Sequence, residues 1–135
     1  MIKHIVLWKL AEEADGHSRA ENLRRMKSAI EAMRDVVPGI VELEVGIDFE
    51  GSDAAWDIAL YSAFQTREAL DAYQVHPEHE KVKQLVAAVR TDRAVVDYAG
   101  WPAGGRNRSR PVEPGDAGLQ GRGDRHPYEV RAEGE

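Results

Sequence analysis

The sequence predicts an α+β fold in which four strands and two helices follow one another in the order β-α-β-β-α-β. Three observations carry this prediction. Residues 41–49 alternate between apolar and polar side chains, as strands with one covered face do, and residues 2–10 read as a strand with apolar side chains on both faces. Apolar residues recur at steps of three and four between Leu23 and Val37, as on the buried side of a helix. Pro77 interrupts a second helical pattern, which predicts a helix built in two pieces.

The first strand and the first helix have the clearest signals. The strand is predicted over Ile2–Leu10, with His4 and Trp8 on the same face. Ser18 and Glu21 have the spacing of a capping box, in which the two side chains satisfy N–H groups at a helix start. The helix that begins there has a stripe of core-facing residues, which are Leu23, Met26, Ile30, Met33 and Val37. The proline and glycine after this stripe should end the helix.

The remaining elements follow from similar patterns. Alternation places one set of apolar residues on a single face of the second strand, namely Val41, Leu43, Val45, Ile47 and Phe49. After a turn at residues 50–53, the third strand is predicted over Trp56–Phe64. Thr66 caps the second helix, which breaks at Pro77 and then resumes. The fourth strand should cover Ala94–Tyr98.

This order of elements is that of the ferredoxin-like fold, a four-stranded antiparallel sheet with both helices on one face. Water normally covers the other face, which is then polar. Here the strands carry apolar residues on both faces, for example Ile5 and Leu7 opposite Val6. Such strands need a second cover, and a second copy of the sheet is the simplest one. We therefore expect a homodimer in which two sheets pack face to face as a dimeric α/β barrel.

Charge and composition exclude several classes of function. The 135-residue chain has 18 Lys+Arg against 24 Asp+Glu, a formal charge of −6. Nucleic acids and anionic membranes need a basic face, so we expect neither as a partner. No apolar run reaches the roughly 18 residues of a membrane-spanning helix, and the N-terminus is too charged for a secretory signal. The absence of cysteine excludes disulfides and thiolate catalysis, and a cytoplasmic location is predicted.

Composition changes near Gly100, which predicts a domain over residues 1–99 and a disordered tail over residues 100–135. The tail is rich in Gly, Pro and Arg and poor in aliphatic residues, so it buries too little apolar surface to offset the entropy of ordering. It holds six Arg and six acidic residues, and the net charge of −6 therefore belongs to the domain.

The most informative stretch is Tyr73-Gln74-Val75-His76-Pro77-Glu78-His79. It sets a phenol and two imidazoles within seven residues, and all three groups can move protons or bind polar ligand atoms. Pro77 fixes the local backbone, so His76 should close one helical piece and His79 should lie in the first turn of the next. The sequence predicts a site with His79 as general base and Tyr73 as hydrogen-bond donor to a developing enolate oxygen.

Five further residues are candidates for this site. His4 is predicted as a third catalytic member, reaching a pocket beneath the broken helix. The candidate ligand-binding residues are Trp8, Ile30, Trp56 and His76. A purely structural role is the alternative for each residue: His4 as a hydrogen-bonded core residue, His76 as part of the helix break, and the tryptophans as packing. Asp97, an unusual charge in the fourth strand, should pair with Lys3 or Arg93.

A metal site was the other chemical possibility at the helix break. His76 and His79, with Glu78 or Glu80 nearby, are ligand types that suit zinc or another divalent ion. The intervening proline makes a shared face uncertain, and the sequence offers no distant third ligand. We therefore expect no metal site, and no cofactor, because no cofactor-binding fingerprint is present.

Four segments of the chain resemble one known family, the stress-responsive dimeric α/β-barrel (Dabb) proteins. The segments are Lys3-His4-Ile5-Val6-Leu7-Trp8-Lys9, Pro38-Gly39-Ile40, Ala72-Tyr73-Gln74-Val75-His76-Pro77-Glu78-His79 and Val95-Val96-Asp97-Tyr98. The resemblance covers residues 1–99 and implies a ferredoxin-like protomer whose sheets pair into a barrel. One plant branch of the family is a polyketide cyclase that closes its substrate by aldol condensation.

In that plant branch, the residues equivalent to Tyr73, His79 and His4 form the catalytic set. Its pocket is lined by aromatic residues on the first helix, where this chain has Leu23, Met26, Ile30 and Met33. Three functions are thus open. The first is binding of a small apolar or carbonyl-containing molecule at Tyr73 and His79. The second is cofactor-free catalysis of the cyclase or oxygenase type, and the third is a structural, stress-stabilising dimer.

Overall fold

The computed structural model describes residues 1–101, in which a four-stranded sheet carries its helices on one face. In chain order the elements are β1 (Ile2–Leu10), β2 (Glu13–Ala14), β3 (His17–Ser18), α1 (Arg19–Ala32), β4 (Ile40–Ile47), β5 (Ile58–Phe64), α2 (Arg67–Gln74), α3 (Pro77–Val89) and β6 (Arg90–Ala99). The main sheet is antiparallel with the strand order β4-β5-β1-β6. The predicted α+β class and β-α-β-β-α-β order are confirmed.

Helix starts lie where local side-chain chemistry predicted them. The capping box is present: Ser18 accepts a hydrogen bond from the backbone N–H of Glu21, and the Glu21 side chain accepts one from the N–H of Ser18. The hydroxyl oxygen of Thr66 accepts from the N–H of Ala69 and so caps α2. These bonds satisfy N–H groups that have no partner inside a helix. They fix where α1 and α2 enter the helical layer.

The core lies between the helices and one face of the sheet. Alternate residues of β1 point into it, and His4, Val6 and Trp8 are buried while Ile5 and Leu7 on the other face are half-buried. From α1 and the short 3₁₀ turn at Met33–Asp35, the core receives a stripe of buried side chains: Met26, Ile30, Met33 and Val37. The predicted stripe is therefore confirmed apart from Leu23, which is only partly buried.

The second predicted strand differs from the structure in two details. The second strand ends at Ile47 rather than Phe49, whose side chain is fully exposed, because the chain turns at Asp48 and its carboxylate accepts from the N–H of Gly51. A β-bulge between Ile40 and Glu42 also turns Val41 off the covered face. Both differences arise from backbone irregularities that side-chain alternation does not reveal.

The last strand is longer than predicted. It runs over Arg90–Ala99 instead of Ala94–Tyr98, because β1 offers a pairing partner along its whole length. The third strand is shorter than predicted, because it begins at Ile58 rather than at Trp56. Gly100 is held by a hydrogen bond from its N–H to the carbonyl of Met1.

The rest of the predicted tail, from residue 102, lies outside the described residues. Among residues 1–101, no helix combines the length and apolar character needed to cross a membrane.

Candidate functional site

A cavity of about 250 Å³ lies between the covered face of the sheet and the helices. Every layer of the fold contributes to its wall. The apolar part of the wall consists of Val6, Trp8, Ile30, Met33, Leu60, Val82 and Val86. The polar part consists of His4, Tyr73, Gln74, His79, Lys83 and Arg93. The cavity is therefore an apolar space with polar groups at defined places, which is the usual composition of a small-molecule site.

Tyr73 lies at the centre of the polar wall. It comes from the last turn of α2 and is only 1% exposed. Its ring contacts Phe64, with ring centroids 5.1 Å apart, and His79, with centroids 4.4 Å apart. Burial raises the pKa of Tyr73 well above its usual value, so the phenol stays protonated and can donate. Tyr73 lines the cavity, and its hydroxyl forms no hydrogen bond within residues 1–101.

The proline break between α2 and α3 positions His79. His76 is the N-cap of α3, and its Nδ1 accepts from the backbone N–H of Glu78 at 3.0 Å. Pro77 then begins the helix, where a missing N–H costs nothing. His79 follows in the first turn, with its Nδ1 3.1 Å from the carbonyl oxygen of Gln74. A carbonyl oxygen only accepts, so Nδ1 carries the hydrogen and Nε2 of the neutral ring keeps the lone pair.

The surroundings of His79 favour its neutral form. Burial lowers the pKa of His79 below its usual value, and the positive charge of Lys83 and the imidazole of His4 add to this lowering. The hydrogen bond to Gln74 and the charge of Glu80 oppose it. At pH 7 the ring is therefore mostly a base, as a group that removes a proton must be.

His4 reaches the same cavity from the sheet. It is 3% exposed, and its ring centroid lies 6.1 Å from that of Tyr73 in an edge-on arrangement. Its Nδ1 lies 2.6 Å from Oδ1 of Asp97, the residue directly opposite it in the β1–β6 pairing. A carboxylate accepts this hydrogen bond, which leaves Nε2 of His4 as the atom with a lone pair. Asp97 therefore fixes both the ring orientation and the tautomer of His4.

The structure brings together five of the seven site residues predicted from the sequence. His4, Tyr73, His79, Trp8 and Ile30 all line the cavity. Trp56 does not: it lines a groove on the open face of the sheet with Leu7 and Ala59, and the Lys9 ammonium lies 5.2 Å from its ring centre. His76 is also outside the cavity wall, since its ring caps α3.

Residues 1–101 contain no group of three or more histidine, cysteine or acidic side chains arranged to hold a metal ion. At the helix break, one ring nitrogen of each histidine already has a backbone partner, with Nδ1 of His76 accepting from Glu78 and Nδ1 of His79 donating to Gln74. The two rings are thus held by the helix start itself.

Three residues at the site were not predicted from the sequence. Asp97 pairs with His4 and not with the predicted Lys3, whose ammonium lies 2.6 Å from the hydroxyl oxygen of Tyr61. Lys83 and Arg93 were not named as cavity residues. Lys83 had a usable signal, because it follows His79 by four residues and shares its helix face. Asp97 required the register of β6 on β1, which pairs residues far apart in the chain.

Comparison with solved structures supports the fold and the dimer. A dimeric protein of unknown function from Bacteroides fragilis is 35% identical with a TM-score of 0.63, over 73% of this chain and 95% of that chain. A dimeric ferredoxin-like protein from Jannaschia is 27% identical with a TM-score of 0.56, over 73% of this chain and 98% of that chain. Both neighbours are dimers, which supports the predicted homodimer.

Other neighbours are more distant. A hydroxynitrile lyase from Passiflora edulis is 16% identical with a TM-score of 0.59, over 75% of this chain and 96% of that chain, and it shows the fold alone. None of the curated proteins matches the chain. Residues 2–99 match the family model of the stress responsive A/B barrel domain, Dabb, which spans all four main strands and the three helices. The chain therefore belongs to the stress responsive A/B barrel (Dabb) family.

Proposed function

We propose that the cavity binds a small apolar molecule that carries a carbonyl group. One observation carries this proposal. Three atoms in the wall, the hydroxyl oxygen of Tyr73 and Nε2 of His79 and of His4, have no hydrogen-bond partner within the described chain. Because these atoms border an apolar cavity, a ligand that supplies the missing partner gains a net stabilisation of about 1 kcal/mol for each hydrogen bond.

The chemistry of the wall selects the ligand class. The Tyr73 hydroxyl is a donor, and a carbonyl oxygen is its natural acceptor. Nε2 of His79 and of His4 are acceptors in the neutral rings, and they suit the acidic C–H or O–H groups beside a carbonyl. Apolar residues line the rest of the space, among them Leu60, Val82 and Val86. They suit an aliphatic or planar apolar body attached to the carbonyl.

Cofactor-free acid–base catalysis is the second candidate, and the tautomer of His79 favours it. The Nδ1–H of His79 donates to the carbonyl oxygen of Gln74, so the lone pair of Nε2 is available in a ring that is mostly neutral at pH 7. In this step, Nε2 takes a proton from the carbon next to the carbonyl. The C–H electron pair forms the C=C bond of an enolate, and the carbonyl π pair moves to oxygen. The hydroxyl of Tyr73 donates a hydrogen bond to that oxygen, and Nε2–H later returns the proton to the product.

The binding proposal is tested with 2-octanone and with 2-methyl-1-octene, in which a CH₂ group replaces the carbonyl oxygen. Titration of ¹⁵N-labelled protein should show saturable shifts at Tyr73, Gln74 and His79 with the ketone. The hydrocarbon should bind about tenfold more weakly, since it supplies no acceptor to the Tyr73 hydroxyl. Equal affinities, or shifts confined to the groove at Trp56, would refute a carbonyl site in the cavity.

A further inference from the structure

Two spaces meet at the contact between α1 and α3. One is the cavity of about 250 Å³ at Tyr73 and His79, and the other is a groove of about 310 Å³ on the outer side of the helix layer. The walls of the groove come from α1, from the 3₁₀ turn that follows it and from α3. Met33 and Val82 line both spaces, so these two residues form the boundary between them.

Helix periodicity explains the boundary on the side of α3. The residues of this helix that line the cavity are His79, Val82, Lys83 and Val86. Those that line the groove are Glu78, Lys81, Val82 and Leu85. Each set follows the steps of three and four that mark one face of a helix. The two faces therefore adjoin, and Val82 is the residue that they share.

Met33 is the boundary residue on the side of α1. Ile30 lines the cavity, Ala32 lines the groove, and Met33 lines both. Its unbranched side chain has three rotatable bonds, and it lies where α1 ends and the 3₁₀ turn begins. Val82 is β-branched and lies inside α3, where one rotamer dominates. Rotation of the Met33 side chain can therefore open a passage between the cavity and the groove while the backbone stays in place.

The groove has the character of a site for an alkyl chain. Ala29, Val36 and Leu85 line it, and Val36 is 55% exposed, so a chain that covers these residues removes apolar surface from water. The charged lining residues, Glu78 and Lys81, pair with each other at 3.2 Å. The partner subunit expected from the apolar strands lies on the open face of the sheet, so it does not cover this groove on the helix layer.

The volume of the cavity limits the size of a ligand that it can hold alone. A water molecule occupies about 30 Å³ of the liquid, and at that volume for each CH₂, CH₃ or C=O group a cavity of about 250 Å³ holds about eight groups. A ketone the size of 2-octanone therefore fills it. The end of a longer alkyl chain must lie elsewhere, either in solvent or beyond Met33 in the groove.

We infer that the ligand is an alkyl ketone of about ten carbons or more, whose chain passes Met33 and ends in the groove. The inference rests on the function proposed for the cavity, because the carbonyl stays at Tyr73 and His79. Burial of one CH₂ group contributes about fourfold in affinity. A chain end that lies in the groove gains this factor, whereas a chain end in solvent does not.

The test compares 2-hexanone, 2-octanone, 2-decanone and 2-undecanone on the parent protein. The affinity should continue to rise beyond 2-octanone, and 2-decanone should bind about tenfold more tightly than 2-octanone. Titration of ¹⁵N-labelled protein with 2-undecanone should shift the amides of Ala32, Val36 and Leu85 together with those of Tyr73 and His79. 2-Hexanone should shift only the latter. This series needs no variant and is therefore independent of any folding defect.

Variants locate the chain end. Ala32→Phe fills the groove from an exposed position on α1, and it should weaken binding of 2-undecanone about tenfold and leave binding of 2-octanone unchanged. Ala20→Phe is the matched control, since Ala20 is exposed on the same helix and lines neither space. Met33→Ile replaces a mobile side chain by a stiff one and should lower the ratio of the two affinities about tenfold. Thermal unfolding of each variant verifies that the fold is retained.

The outcomes separate this inference from the proposed function. Equal affinities for 2-octanone and 2-undecanone, with saturable shifts at Tyr73 and His79, would overturn the groove as the site of the chain end and leave the carbonyl site intact. Equal losses of 2-undecanone binding in Ala32→Phe and Ala20→Phe would also overturn it. Shifts at the groove alone would mean a separate surface site and no passage at Met33. If none of the ketones binds, the groove and the carbonyl site both fail.

Discussion

Two tyrosines on opposite sides of the sheet have opposite hydrogen-bonding states. On the open face, the hydroxyl of Tyr61 donates to Oε1 of Glu42 at 2.8 Å, and its oxygen accepts from the ammonium of Lys3 at 2.6 Å. On the helix side, the hydroxyl of Tyr73 borders the cavity and has neither a donor nor an acceptor partner in residues 1–101. Burial raises the pKa of both tyrosines, so protonation does not distinguish them.

The hydrogen-bonding states of the two tyrosines indicate different roles for the two faces of the sheet. Lys3, Tyr61 and Glu42 satisfy one another without a ligand, as groups in a structural interface should. At the cavity, the contact of His4 with Asp97 orients the imidazole ring and leaves its second nitrogen without a partner. Satisfied polar groups on the open face stabilise the protomer, while unsatisfied groups on the helix side are available to a ligand.

The largest effect is expected from His79→Gln, which removes the base from the helix side. If the acid–base step operates, exchange of the protons next to the carbonyl of 2-octanone in D₂O should slow by about 100-fold or more, because a positioned base contributes roughly 10²–10⁴-fold. Proton NMR of the ketone measures this exchange directly. His17→Gln is the matched control, since His17 is partly exposed on β3 and lies outside the cavity. An equal effect of both substitutions would exclude His79 as the base.

The next effect comes from removing each tyrosine hydroxyl in turn. Tyr73→Phe should weaken ketone binding about tenfold and change the free energy of unfolding by less than about 0.5 kcal/mol, since its hydroxyl has no protein partner to lose. Tyr61→Phe should leave ketone binding unchanged and destabilise the protein. It leaves Lys3, which is 8% exposed, without its acceptor and lowers the free energy of unfolding by about 1–2 kcal/mol.

Chemical denaturation and ketone titration of the two tyrosine variants form one crossed experiment. The division between the two faces would be wrong if Tyr73→Phe destabilised the protein as much as Tyr61→Phe does. It would be equally wrong if Tyr61→Phe weakened ketone binding. Sedimentation of Tyr61→Phe then shows whether the Lys3, Tyr61 and Glu42 contacts also support the dimer.

The sequence predicted the elements whose signals are local. The bounds of β1, the capping box at Ser18 and the Thr66 cap depend on residues within three or four positions of each other, and all are confirmed. One local signal was missed. Asp15-Gly16, with φ values of 56° and 79°, forms the tight turn of the β2–β3 hairpin, and Asp-Gly is typical of such turns.

The features that could not be predicted depend on register between distant segments. The length of β6 and the pairing of His4 with Asp97 require the alignment of β1 with the last strand, and alternation within one strand does not contain that information. Trp56 shows the same limit. It was expected at a ligand because it is aromatic, but which face of the sheet it occupies depends on how the loop before β5 turns.

A smaller effect is expected from Asp97→Asn, which changes a residue outside the cavity wall. The amide of Asn can donate to Nδ1 of His4 and so reverse the tautomer, which replaces the Nε2 lone pair at the cavity by an N–H. His4 then no longer accepts from the acidic C–H of the ketone, which should misplace that C–H relative to His79 and slow proton exchange from 2-octanone about threefold, with little change in ketone affinity. Asp92→Asn, on an exposed site of the same strand, is the control. If both substitutions give the same rate, Asp97 does not position His4 for proton transfer.

The smallest effect concerns the stability of the protein between pH 7 and pH 5. Burial lowers the pKa of His79 in the folded state, whereas the unfolded chain binds a proton near the usual value of about 6.5. Between these two pKa values the unfolded state holds more protons, so the free energy of unfolding falls as the pH drops below about 6.5. The loss is complete once the pH lies below the folded pKa. It should amount to less than about 1 kcal/mol, because the ring is partly exposed to solvent.

Substitution of His79 isolates its contribution to the pH dependence of the unfolding free energy. In His79→Gln, the slope of unfolding free energy against pH should be shallower than in the parent between pH 6.5 and 5, while Tyr73→Phe, which does not titrate in this range, should keep the parental slope. Lys83 and His4 add to the lowering of the His79 pKa and Glu80 opposes it, so Lys83→Met should give an intermediate slope. A parental slope in His79→Gln would mean that the ring is no less basic in the folded protein than in the unfolded chain. His79 would then not supply the neutral base that the proposed proton transfer needs at pH 7.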